Sequence, residues 1–257
     1  MSADAFRVCA VIPTFDNPTT IADVVAGVTP FVERVIVVDD GSAPPGREAV
    51  AALQRSGAAL AVVRARNGGK GAAVKDGLAR AHAEGFTHAL QVDADGQHAL
   101  DDAPTLLQAA RARPEALVLG APIYDQSAPR SRLVGRRITQ FWTNLEVGRG
   151  VITDPMCGFR VYPLARATAV RVPADRMDFD IEIAVRMAWA GTPVVNVPTR
   201  VRYPEGGVSH FDLLRDNLRI SWMHTRLCHL RVFELTLLRP WRWLTRRRAR
   251  AELGEGR

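Results

Sequence analysis

Asp93-Ala94-Asp95-Gly96-Gln97-His98 closes an apolar run, Ala89 to Val92. Two carboxylates one residue apart are hard oxygen ligands of the kind Mg2+ or Mn2+ takes, and Mg2+ is typically held by one or two carboxylates together with substrate phosphates. If a strand continues through them, alternate side chains share a face, so Asp93 and Asp95 both approach one ion. Gly96 lets the backbone turn sharply and Gln97 adds a further oxygen. A solvated turn is the plain alternative, because Asp and Gly are ordinary turn residues. Asp39-Asp40-Gly41-Ser42 closes another apolar run, where a carboxylate can accept hydrogen bonds from a base N–H or ribose hydroxyls, or cap a turn. Asn67-Gly68-Gly69-Lys70-Gly71 joins pliable backbone to a cation and a following helix, a combination able to approach phosphate. It is not a Walker loop, since it lacks the spacing and the Ser or Thr after Lys. Arg130, Arg132, Arg136 and Arg137 crowd one short stretch, where guanidinium forks suit phosphate and a solvated helix face is the alternative.

Positioning these groups falls to alternating strands and helices. Val8 to Ile12, Val35 to Val38, Leu60 to Val63 and Ala89 to Val92 read as buried strands. Helices are expected from Thr19 or Thr20, as cap, through Val28, from Gly46 to Ser56 and from Gly71 to Glu84. Ala116 to Ile123 and Val194 to Val201 are expected as later strands, with helices from Met177 to Ala190 and from Leu213 to Leu230. This alternation predicts an α/β fold with a mostly parallel central sheet and helices on both faces. Ligands in such sheets bind outside the carboxyl ends of the strands. Thr14 to Asn17, Asp39 to Ser42, Asn67 to Gly71 and Asp93 to Gln97 all fall there, so four loops converge on one rim.

Composition narrows the class. The 257 residues, 47% hydrophobic and 24% charged, suffice for a sizeable core. Cys9, Cys157 and Cys228 are odd in number and far apart, which argues against a disulfide framework or a cysteine zinc site and fits a reducing cytosol. Asp4 near the start is unlike a secretory signal, and no apolar run approaches the ~18 residues of a spanning helix. The net charge of +7 gathers in Arg226, Arg231, Arg239, Arg242, Arg246, Arg247, Arg248 and Arg250. With Trp241 and Trp243 beside them, a basic amphipathic tail over 226–257 suits a membrane surface, after a catalytic domain over 1–225. A helix packed on the domain, or a disordered basic end, is the alternative for the tail. No nucleic-acid module is visible.

Ile12-Pro13-Thr14-Phe15-Asp16-Asn17, Val38-Asp39-Asp40-Gly41-Ser42, the Asn67 to Gly71 loop and the Asp93 to His98 run, in this order and spacing, resemble family 2 glycosyltransferases. Within that family they look like the branch of dolichyl-phosphate mannose synthase. The resemblance covers about residues 7 to 225. It implies a GT-A fold, a nucleotide-sugar donor linked to UDP or GDP, a divalent metal (Mg2+ or Mn2+) and inversion at the anomeric carbon. It places Pro13, Phe15 and Asn17 against base and ribose, Asp40 with Asp39 beside it at the base, and Asp93 and Asp95 at metal and ribose-diphosphate, with Gln97 as a further ligand. Phe15, Asp16 and Asn17 stand where the family often has Tyr, Asn and Glu, which removes a phenol and leaves the base open.

In similar synthases the arginine-rich region holds the lipid phosphate or the donor diphosphate, the role implied for Arg130, Arg132 and Arg136. Thr153 to Arg160 resembles the family's D-x-x-(S/C)-G-F-R segment near the acceptor, so Asp154 is either an acceptor-side base or a structural carboxylate paired with an arginine. One of Asp178, Asp180 and Glu182 is expected to face the acceptor, although acids also simply favour a helix N-terminus. The Tyr203 to Phe211 segment stands where related enzymes close a loop over donor phosphates, which makes Ser209 and His210 diphosphate contacts. The acceptor implied is a lipid, polyprenyl phosphate in the first instance. The Met156 to Pro163 run and the Ser209 to Arg226 segment look closer to bacterial members acting on aryl polyene or other lipid-linked products, which makes a hydroxyl-bearing lipid the alternative. A non-catalytic nucleotide-sugar-binding protein on the same fold is the further alternative. The implied location is the cytoplasmic face of the cell membrane.

Overall fold

Val8–Thr14 forms β1 as a run apolar on both sides, and all seven residues are buried, as expected of a strand covered by helices on each face. A computed structural model describes residues 6–123, 130–201, 213–233 and 236, without the side chains of 130–132 and 213. β1 pairs in parallel with β2 (Arg34–Asp39) and β4 (His88–Gln91), and β3 (Leu60–Val63) lies in parallel beyond β2. The crossovers are α1 (Ile21–Val28), α2 (Pro44–Arg55) and α3 (Lys70–Ala83). The pleat divides the strands between two cores. Cys9, Val11, Ile36 and Val38 face α3, whereas Val8, Ala10, Ile12, Val35 and Val37 face α1 and α2. Gly77 brings α3 close to the sheet, since a Cβ there would meet Val38 Cγ2 at 3.1 Å.

Past β4 come α4 (Ala103–Ala112), β5 (Leu117–Ile123), α5 (Arg130–Val147), β6 (Arg160–Pro163), α6 (Leu164–Ala169), α7 (Phe179–Trp189), β7 (Val194–Arg200) and α8 (Leu213–Phe233). Among the described residues the sheet has seven strands in the order β3-β2-β1-β4-β6-β5-β7. This is the mostly parallel α/β architecture expected. β6 alone runs antiparallel to its neighbours β4 and β5. Its first residue, Arg160, therefore sits opposite Gln91, the last of β4, and delivers the preceding loop to the rim.

Thr20 precedes α1 but does not cap it, because its hydroxyl donates instead to the Ala94 carbonyl at 2.6 Å. α4, β6 and α6 carry no sequence expectation; two are short, and β6 has only four residues. α8 runs through residues 225 and 226, with Leu227 fully buried and Arg226 bonded to Glu182. Residues 234–235 and 237–257, with Trp241 and Trp243, lie outside the described residues. No described helix is long and apolar enough to cross a membrane.

Candidate active site

Asp93 and Asp95 follow β4 rather than extending it, because the strand ends at Gln91. Strand alternation therefore does not align them. They sit in a turn held by Gly96 at φ 71°, by the Gln97 backbone N–H donated to Asp95 Oδ1 at 3.0 Å, and by Thr20 on the Ala94 carbonyl. The Asp93 carboxylate rests on Gly158, where any Cβ would overlap it.

Lys70, at the start of α3, reaches from the glycine loop into the centre of the rim. Its Nζ lies 2.7 Å from Asp93 Oδ1 and 2.7 Å from Asp180 Oδ2. Burial opposes the ammonium, but Asp180 and Asp93 outweigh it and hold the Lys70 pKa above the ordinary lysine value. Burial likewise opposes ionisation of Asp93, yet Lys70 and His98 bring its pKa well below the usual carboxylate range. Asp95 moves the other way: burial first, then the Asp93 charge, raises it. The two carboxylates thus differ by environment, one paid with a cation and the other repelled by its neighbour. Such a half-buried, mutually repelling oxygen pair, still open to solvent and substrate, fits a divalent cation. Among the described residues no cluster of three or more His, Cys, Asp or Glu could complete an all-protein cage.

Behind this centre lies a buried polar lattice. Gln91 Nε2 donates to Asp180 Oδ1 at 3.2 Å, and Tyr162 Oη donates to Gln91 Oε1 at 3.0 Å. Arg160, fully buried, donates to the backbone carbonyls of Cys157, Asp180 and Pro155 at 2.8, 2.8 and 3.1 Å. Burial pushes the Tyr162 phenol up, so it stays a neutral donor. Sequence reasoning missed Gln91, Arg160, Tyr162 and His98. Polar residues inside otherwise apolar strands were the available signal for the first and third. His98 lies 3.9 Å from Asp93 Oδ2 and its buried Nδ1 has no hydrogen bond among the described residues.

The Asp39–Asp40 pair divides its work. Asp40 accepts from Arg64 Nη1 at 2.5 Å, Gly68 N at 2.9 Å and Gly69 N at 2.7 Å, so it builds the glycine loop that aims Lys70. Asp39 Oδ1 accepts from Ser42 N at 2.9 Å, while its buried Oδ2 has no hydrogen bond among the described residues. An orphaned acceptor of that kind fits a ligand donor. Asp16, at φ 52°, accepts from Ala43 N at 2.7 Å and ties the first loop to α2. Asn17 Nδ2 donates to the Phe15 carbonyl at 2.9 Å, and Pro13 is buried beneath them.

Other expected residues find partners outside the Lys70 cluster. Arg136 pairs with Asp154, which also accepts from Met156 N at 2.8 Å. Glu182 is fully buried and accepts from Ala174 N, Arg186 and Arg226 at 3.1, 2.7 and 2.6 Å, a structural knot between α7 and α8. Asp178 accepts from Arg176 N at 3.3 Å, and burial raises its pKa. Of the three acids expected on α7, only Asp180 joins the centre. Ser209 and His210 lie outside the described residues, as do the side chains of Arg130 and Arg132.

Known proteins resemble this chain in sequence and in fold. The model of the family described as glycosyl transferase family 2 matches residues 9–164. Polyprenol monophosphomannose synthase of Mycolicibacterium smegmatis is 29% identical over 217 residues, covering 79% of this chain and 80% of the relative. Glycosyltransferase AglJ of Haloferax volcanii is 28% identical over 214 residues, 81% of this chain and 68% of that one. Among solved structures, glucosyl-3-phosphoglycerate synthase of Mycobacterium tuberculosis in complex with Mg2+ and UDP shares the fold at TM-score 0.67 and 20% identity, covering 88% of this chain and 80% of that chain.

Proposed function

This chain belongs to glycosyl transferase family 2, and from that premise we propose that it moves a sugar from a nucleotide-diphosphate donor to polyprenyl phosphate, in a metal-dependent reaction that inverts the anomeric carbon. That it is a glycosyltransferase with a GT-A fold follows from family and architecture. The observation carrying the finer reading is the half-buried Asp93–Asp95 pair at the carboxyl edge of the sheet, with the orphaned Asp39 Oδ2 two strands away.

Pro13, Phe15 and Asn17 line base and ribose in this reading, and Asp39 Oδ2 accepts a base N–H. Asp40 acts through the loop it folds. Asp93 and Asp95 would hold the metal, with the Gln97 side chain as a further oxygen ligand. The ion, when bound, neutralises charge on the departing nucleoside diphosphate. Arg130, Arg132, Ser209 and His210 supply contacts to phosphates of donor or acceptor. Asp154 is held by Arg136 and Met156 N, a poor arrangement for removing a hydroxyl proton. A phosphate acceptor needs no such base, because it arrives ionised. This favours polyprenyl phosphate over a hydroxyl-bearing lipid, as does the name of the mannose-transferring relative. The acceptor would be met at the cytoplasmic membrane face, with the basic tail beyond α8 against anionic lipid.

Calorimetric titration with UDP and with GDP, each with Mn2+ and with EDTA, tests the reading on the wild type and on Asp95→Ala. Binding of one nucleotide that disappears in EDTA and in the variant is expected. Binding unaffected by either would overturn the metal assignment, and no binding at all would remove the donor site.

A further inference from the structure

Helices α5 and α8 pack against the domain with one side and present an apolar side outward. On α5, Val134, Ile138, Phe141 and Leu145 are 56 to 59% exposed and recur every three or four residues, which places them in one stripe. On α8, Leu214, Leu218 and Trp222 are 62 to 71% exposed at a spacing of four, and Val232 and Phe233 extend the stripe. These are not core positions left uncovered. Thr139, Thr143 and Glu146 already fill the inner side of α5, and Ile220, Met223 and Leu227 that of α8.

Charge selects the partner. The only acids in the two helices, Glu146 and Asp216, are buried, so no carboxylate lies on the outward sides. Arg137, Arg215 and Arg219 are exposed there. A second copy of this face would set arginine against arginine, a like-charge juxtaposition that disfavours self-pairing. Exposed Phe and Trp between arginines, without acids, match the interface of an anionic bilayer. After α8 the sequence carries Glu234 and then Trp241, Trp243 and six arginines from Arg239 to Arg250 before Glu252 and Glu255, so it stays predominantly basic and aromatic. α5 also carries Arg136, which bonds Asp154 in the loop leading to Gly158 and Asp93, so the surface adjoins the candidate active site.

We infer that the outward sides of α5 and α8 form a docking surface for an anionic lipid bilayer, with the apolar stripes at the acyl boundary and the arginines at lipid phosphates. The inference goes beyond the proposed reaction and holds whichever acceptor that reaction uses.

Flotation of the full chain with phosphatidylcholine vesicles, with and without phosphatidylglycerol and lacking any polyprenyl lipid, tests it. Binding to the anionic vesicles is expected, and Phe141→Glu combined with Leu145→Glu weakens it at least about tenfold with unchanged circular dichroism. Brominated lipid should also quench emission that is missing in Trp222→Phe. Undiminished vesicle binding by the Glu variant assigns binding to residues beyond α8 and overturns the inference. So does equal quenching of wild type and Trp222→Phe, or a wild-type dimer lost in the Glu variant without any vesicle binding. Because the vesicles hold no acceptor, a failed transfer assay leaves these outcomes unchanged.

Discussion

Lys70 is the counter-charge of two carboxylates that would otherwise repel each other, Asp93 and Asp180. Removing one partner from a buried ion cluster leaves the other uncompensated, so Lys70→Met should cost about 3 kcal/mol in urea unfolding. Mn2+ should recover part of that by supplying positive charge at Asp93. A loss below about 1 kcal/mol, insensitive to Mn2+, would mean the carboxylates do not depend on Lys70. The adjacent aspartates should separate cleanly. Asp40→Asn removes the charge that receives Arg64 and two backbone N–H groups and should lower stability by about 2 kcal/mol. Asp39→Asn keeps an oxygen for Ser42 N but turns the orphaned acceptor into a donor, so it should weaken nucleotide binding in calorimetry more than it lowers stability. The reverse pattern would exchange their roles.

α7 shows how an element sorts residues that look equivalent in sequence. Positions two apart on a helix do not share a side. Asp180 therefore reaches Lys70, while Glu182 turns to Arg186, Arg226 and the Ala174 N–H, joining α7 to α8. Glu182→Gln should lower stability by about 3 kcal/mol, as expected for a broken buried ion pair, and leave nucleotide affinity unchanged. An unaltered melting temperature with lost transfer would instead return Glu182 to the reaction. β6 has an equally directive effect. Because it runs antiparallel beside β4, the loop before it brings Gly158 onto Asp93 and Arg160 beneath Asp180.

At the scale of the whole molecule, the sheet closes around buried groups whose protonation links stability to pH. His88 stacks on Phe6 with ring centroids 4.3 Å apart, and its Nε2 lies 2.9 Å from the Pro114 carbonyl. Burial depresses its pKa below 6.5, against the opposing pull of that carbonyl. Below 6.5 the unfolded chain takes up a proton that the folded chain refuses, so this contribution to stability is full above 6.5 and lost as pH falls toward the folded pKa. Between about pH 7 and about pH 5 the melting temperature should fall more steeply for the wild type than for His88→Gln. Parallel slopes would show that His88 is not the group responsible. The sequence by itself determined the alternating strands and helices and the convergence of four polar loops, because doubly covered strands read as unbroken apolar runs and their carboxyl ends define one rim. Asp93, Asp95, Asp39 and Lys70 were legible as chemistry for the same reason. Only the tertiary structure decided that Asp180 rather than Glu182 or Asp178 meets Lys70, that Asp40 is committed to the glycine loop before α3, and that Arg136 closes on Asp154. Spacing fixes neighbours within one element, whereas ion pairs between elements depend on strand direction and helix rotation, which come from packing the whole sheet.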